Sequence, residues 1–117
     1  MRDENKWGLN WKVWVASRFT CVYCGFDGLS SVLAAHQFTV DHIRPRSRGG
    51  TDVAENLAAA CNCCNFIKAE WGRSVYDPAR FENKSTADVL KAAKTYIETW
   101  YGKWDNGYKM MMEEARQ

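Results

Sequence analysis

Apolar and polar positions recur at different periods along the chain, and the periods divide it into three parts. Near the start, Trp7, Trp11 and Trp14 recur at i, i+4 and i+7. That is the spacing of one helical face, so a helix over 1–20 is expected, with the stripe turned to a core. In the middle, Phe38-Thr39-Val40 is a β-prone run ending at Asp41-His42, and Ile43-Arg44-Pro45 leads out into a loop. The loop, 45–55, holds Gly49-Gly50 and little that favours regular structure. Asn56-Leu57-Ala58-Ala59-Ala60 fits a short strand or a short helix, and its periodicity does not choose between them. Asn65 to Trp71 reads as a helix that stops near Gly72.

The last part, 74–117, reads as mostly helical. Asp77-Pro78 has the form of an N-cap followed by proline at the first helical position. Ser85 and Asp88 form a capping box with Asp in the usual Glu place. Val89, Ala93, Tyr96 and Trp100 make one stripe, with Leu90, Ile97 and Tyr101 beside it. Gly102 and Asp105-Asn106-Gly107 break that pattern before a Met-rich tail. The expectation is one domain over 1–117: a helix at 1–20, a middle part at 21–73, and a helical extension at 74–117 that covers it.

Composition narrows the class. The 117 residues are 46% apolar, include six Trp, and are only 26% charged, which excludes a disordered chain. A chain of this length buries roughly 65% of its surface, so its core is modest. The longest apolar runs, 13–16 and 57–61, fall far short of the about 20 residues a membrane span needs. The start, Met-Arg-Asp-Glu-Asn-Lys, has no apolar stretch behind it, so no secretory signal is expected and a cytoplasmic, reducing location is. The net charge of +2 is weak support for a polyanion partner. Four zinc-bound thiolates would bring the folded charge to about zero, so any such affinity depends on where the charges sit.

Five Cys is an odd count, and four of them group as Cys21-Val22-Tyr23-Cys24 and Cys61-x-x-Cys64. Two such knuckles with no secretory signal favour a metal over disulfides. Each CxxC turn brings two sulfurs to one side, and two turns supply the four tetrahedral ligands at ~2.3 Å that zinc prefers. Cys61-x-Cys63 is an alternative pairing. A redox-dithiol reading lacks the βαβ frame it requires.

The stretch Val40-Asp41-His42-Ile43-x-Pro45, Gly49-Gly50-Thr51, Glu55-Asn56-Leu57 and Cys61-x-x-Cys64-Asn65-x-x-Lys68, with Cys21-Val-Tyr-Cys24-Gly25 upstream, resembles the HNH endonuclease family in its zinc-knuckle form. The resemblance covers 21–68. It implies an α+β fold: a small, treble-clef-like ββα-metal core clasped by a structural four-cysteine zinc site, with the N- and C-terminal helices packed around it. It also implies a metal-dependent DNA endonuclease or nickase that leaves 5′-phosphate and 3′-hydroxyl ends. Carried over by residue, Cys21, Cys24, Cys61 and Cys64 bind zinc, Asp41 and Asn65 bind the catalytic Mg²⁺ or Mn²⁺, and His42 is the general base. Asn56 steadies the loop behind that base, and Lys68 touches the scissile phosphate. Cys64, directly before Asn65, matches the family better than Cys63, which becomes a spare thiol.

The chemistry agrees with these roles. Imidazole titrates near neutrality and suits proton abstraction from water. Carboxylate and amide oxygens suit Mg²⁺ or Mn²⁺ better than zinc. Asp41 and His42 are neighbours on an extended strand, so their side chains point to opposite sides unless the strand end twists or the helix wraps round it. Arg44, Arg46 and Arg48 alternate beside His42 and form a phosphate-contacting edge or an ordinary set of loop charges. Lys68 is otherwise a solvated helix lysine, and His36 a metal ligand or, more commonly, a surface or core histidine. The competing function is an inactive zinc-knuckle module for nucleic-acid binding or assembly, which has no use for Asp41, His42 and Asn65 together. Small free-standing relatives of this kind belong to phages or mobile elements, or work beside machines such as terminases. DNA and a protein of that type are therefore the expected partners, and a membrane is not.

Overall fold

The computed structural model describes residues 10–117. In chain order these form α1 (Asn10–Ala16), α2 (Val32–Ala35), β1 (Phe38–His42), β2 (Leu57–Cys61), α3 (Asn62–Ser74), α4 (Pro78–Phe81) and α5 (Thr86–Ala115). Trp7 and the first half of the expected N-terminal helix lie outside the described residues. The whole is α+β.

The centre is a ββα unit. β1 and β2 pair antiparallel in the register Phe38↔Cys61 to His42↔Leu57, and α3 leaves the end of β2 without a loop. Three consecutive alanines have no strong preference for a strand. Here pairing with β1 and burial of Ala58, Ala59 and Ala60 decide the matter. The first knuckle docks on this sheet, Val22 N–H donating to Ala59 C=O at 3.0 Å. α1 covers the sheet too: Trp14 Nε1 donates to Thr39 C=O at 3.1 Å.

Behind the ββα unit, Trp71 of α3 packs edge-on against Tyr76 and Phe81, with ring centroids 5.6 and 5.8 Å away. α3 does not stop at Gly72 but runs on to Ser74. Gly72 sits inside the helix because Pro45 packs 3.1 Å from where a Cβ would be.

Ser85 caps α5, its Oγ accepting from Asp88 N–H at 3.1 Å. The helix buries Val89, Ala93 and Ile97 completely, while Tyr96 and Trp100 are half-buried, so the core-facing stripe centres on Ile97 rather than Tyr96. The expected break at Gly102 and Asp105-Asn106-Gly107 does not occur, and the helix continues to Ala115. Each glycine costs the helix about 1 kcal/mol, but extending an anchored helix is far easier than nucleating one. An Asp105–Lys109 ion pair at 2.9 Å bridges one turn of the extension.

Replacing Ile97 by Ala removes the last fully buried anchor of α5. The expected loss is about 2–5 kcal/mol in urea denaturation at fixed free zinc.

Candidate active site and metal centre

The knuckle turn, 21–24, and the start of α3 face each other, and the Sγ atoms of Cys21, Cys24, Cys61 and Cys64 all lie within 4.8 Å of one another. Cys24 and Cys61 are 3.8 Å apart, the sulfur spacing that tetrahedral zinc with ~2.3 Å bonds requires. Cys61 caps α3, its sulfur accepting from Cys64 N–H at 3.4 Å, as thiolates in such knuckles do. The donor set and geometry fit zinc. Cys63 is exposed and stands outside the cluster, so the pairing is Cys61 with Cys64. The hydrogen bond with Cys21 pushes the Cys61 thiol up to about 12, Cys64 is pushed up further, and Cys21 is pulled far down by the same contacts. The four thiols share one small site, and a divalent cation there lets them ionise together. Tyr101 of α5 reaches this centre, its hydroxyl 3.2 Å from Cys64 Sγ.

The knuckle also delivers Tyr23, which meets a buried carboxylate. Asp41 lies inside the core, Tyr23 O–H donates to its Oδ2, and Lys68 Nζ lies 3.0 Å from its Oδ1. Burial, with Asp41 alongside, pushes the Tyr23 phenol far above its ordinary range, so it remains a donor. Lys68 is neither solvated nor free for a phosphate: its side chain is 3% exposed, and Nζ also donates to the carbonyls of His42 and Ile43. Burial holds this ammonium below the usual lysine range, offset in part by Asp41. Lys68 thus closes the end of β1 onto α3.

His42, the last residue of β1, is a quarter exposed, and its Nε2 lies 2.7 Å from Asp52 Oδ1. Asp41 and His42 nonetheless line one groove, together with Asn65, Arg46 and Arg73. The strand ends at His42 and α3 crosses beneath it, which is how neighbours on a strand come to serve one site.

Asn56 is buried and clamps the loop between the strands. Its Oδ1 accepts from Arg44 N–H at 2.8 Å, and its Nδ2 donates to the carbonyls of Arg44 and Thr51. Gly50 completes the loop, for a Cβ there would stand 1.8 Å from the Arg44 carbonyl oxygen. The three arginines do not form one edge. Arg44 donates to the carbonyls of Phe81 and Lys84, and Arg48 to that of Arg73 at 3.0 Å, which ties the loop to its neighbours. Arg46, largely exposed, is the one of the three that lines the groove. His36 is exposed at the end of α2 and belongs neither to the cysteine cluster nor to the groove lining.

A divalent cation fits the groove by the chemistry of its donors. Each Asp41 oxygen spends one lone pair on its protein partner and keeps another, and Asn65 offers an amide oxygen.

Sequence reasoning missed Tyr23, Asp52 and Arg73. No local pattern marks them; only their position inside the knuckle, just past the Gly-Gly pair and late in α3 hints at where they point.

The ββα unit thus carries four clustered cysteines and, beside Lys68, a groove bordered by Asp41, His42 and Asn65. Residues 21–70 match the model of the HNH endonuclease family. Neither a curated protein nor a solved structure matches the chain. No helix among the described residues is long and apolar enough to cross a membrane.

Two predictions test these centres. Cys64→Ser should lose the single equivalent of zinc and much of the helical circular dichroism, while Cys63→Ser keeps both, as read by elemental analysis and spectroscopy. Lys68→Met, which leaves Asp41 buried without its cation, should cost about 3–5 kcal/mol in urea denaturation. Adding Asp41→Asn to that variant should recover part of the loss.

Proposed function

We propose that this chain is a metal-dependent DNA endonuclease that nicks one strand per site. The observation that carries the reading is the convergence of Asp41, His42 and Asn65 on one groove edged by Arg46 and Arg73.

In this reading the imidazole of His42 takes the proton from the attacking water, and Asp52 holds the ring from behind. Asp41 and Asn65 hold Mg²⁺ or Mn²⁺, which when bound supplies Lewis-acid stabilisation of charge developing on the phosphate. Arg46 and Arg73 hold the phosphate backbone across the groove. Tyr23 and Lys68 hold the Asp41 carboxylate in place, so that its oxygens stay at the groove. Lys68 supports the site from within and does not touch the phosphate. The zinc clasp fixes the start of α3, and thus Asn65, relative to β1.

The test is cleavage of supercoiled plasmid with Mg²⁺ or Mn²⁺ by zinc-loaded wild type and His42→Ala purified alike. The expected result is nicking that needs added metal, leaves 5′-phosphate ends, and falls about 10²–10⁴-fold in the variant with zinc retained. Equal cutting by both proteins would sink the reading. If neither cuts and both shift DNA in a salt-dependent way, the chain is a binding module.

A further inference from the structure

We propose that Asp52 is a positioning residue that fixes His42 in one tautomer and one ring orientation. The inference rests on the nuclease reading for its kinetic consequence but not for its structural one.

Asp52 Oδ1 lies 2.7 Å from His42 Nε2, and its other oxygen, Oδ2, lies 3.8 Å from Arg46 Nη2. An ionised carboxylate only accepts hydrogen bonds, so the ring nitrogen that faces it carries the proton. In the neutral imidazole the lone pair is then on Nδ1, on the other side of the ring. With Asp52 removed, the two tautomers of an imidazole that is a quarter exposed are free to exchange, and the ring is free to turn.

The carboxylate is held where this requires. Asn56 Nδ2 donates to Thr51 C=O at 2.9 Å, one residue before Asp52, and to Arg44 C=O, two residues after His42. The same amide thus fixes the loop on both sides of the Asp52–His42 pair. The turn at Gly49 and Gly50 brings that loop back, Gly49 in the left-handed region at φ 93° and Gly50 donating to Pro45 C=O at 2.9 Å. Asp52 itself is 60% exposed and packs into no core, so its substitution leaves the fold in place.

The experiment pairs two readouts on zinc-loaded protein. Long-range ¹H–¹⁵N spectra at pH 8 report the tautomer of His42, with His36 as the internal reference and His42→Gln giving the assignment. Wild type should show the Nε2–H form, Asp52→Ala a mixture, and Asp52→Asn the Nε2–H form again, because its amide oxygen still accepts. In plasmid nicking, Asp52→Ala should lose about 10–100-fold in kcat with KM little changed, and Asp52→Asn should recover part of the loss. A wild-type Nδ1–H form, or spectra unaffected by Asp52→Ala, would overturn the proposal, as would unchanged kcat in that variant. Wild type that does not nick, yet shows an Asp52-dependent Nε2–H form, would overturn the nuclease reading and leave the tautomer assignment standing.

Discussion

One carboxylate, that of Asp41, organises the centre of this protein. Burying an ionised carboxylate is expensive unless its oxygens are engaged, and here a phenol and an ammonium engage them. The phenol comes from the knuckle, the carboxylate from β1 and the ammonium from α3, so three separate elements meet at one charge. Lys68 also takes the carbonyls of His42 and Ile43, where the strand gives out and the sheet ladder can no longer satisfy them. The arrangement leaves a negative group at the inner end of the groove with unused lone pairs on each oxygen.

The cysteine cluster addresses a different weakness. A sheet of two strands is marginal on its own, and β1 and β2 carry few large side chains: beyond Phe38, the buried apolar residues on them are alanines and a cysteine. A metal held by Cys21, Cys24, Cys61 and Cys64 would tie the segment before β1 to the start of α3 and supply stability that so small a core lacks. Tyr23 lies within the same short turn, so the clasp that holds α3 also sets the partner of Asp41. The cysteine cluster and the groove are therefore linked through the 21–24 turn.

The loop between the strands is built to be rigid despite its lack of regular structure. Asn56 saturates three backbone groups from within, Gly50 permits an approach that no side chain would allow, and Arg44 and Arg48 cross-link the loop to the segments around α4 and to the end of α3. Charges that look on paper like a basic surface are spent on carbonyls. What remains at the groove is Arg46, with Arg73 supplied by the helix opposite.

The sequence by itself determined whatever depends on short-range spacing. The two knuckles, the Asp41-His42 pair at a strand end and the caps at Asp77 and Ser85 are legible because each is a matter of a few residues and a local geometry. The strand at Leu57–Cys61, the helix continuing through Gly102 and Gly107, and the partners of Lys68, Tyr23, Arg44 and Asp52 were decided by the tertiary structure. Alanine runs and isolated glycines are ambiguous in their own energies, differing by about a kcal/mol between states, so pairing or an anchored helix settles them. A lysine one turn after Asn65 reads the same whether it faces water or a buried carboxylate. Only the packing of α3 across the end of β1 turns Lys68 inward, because the charge it must answer, Asp41, is brought there by the fold.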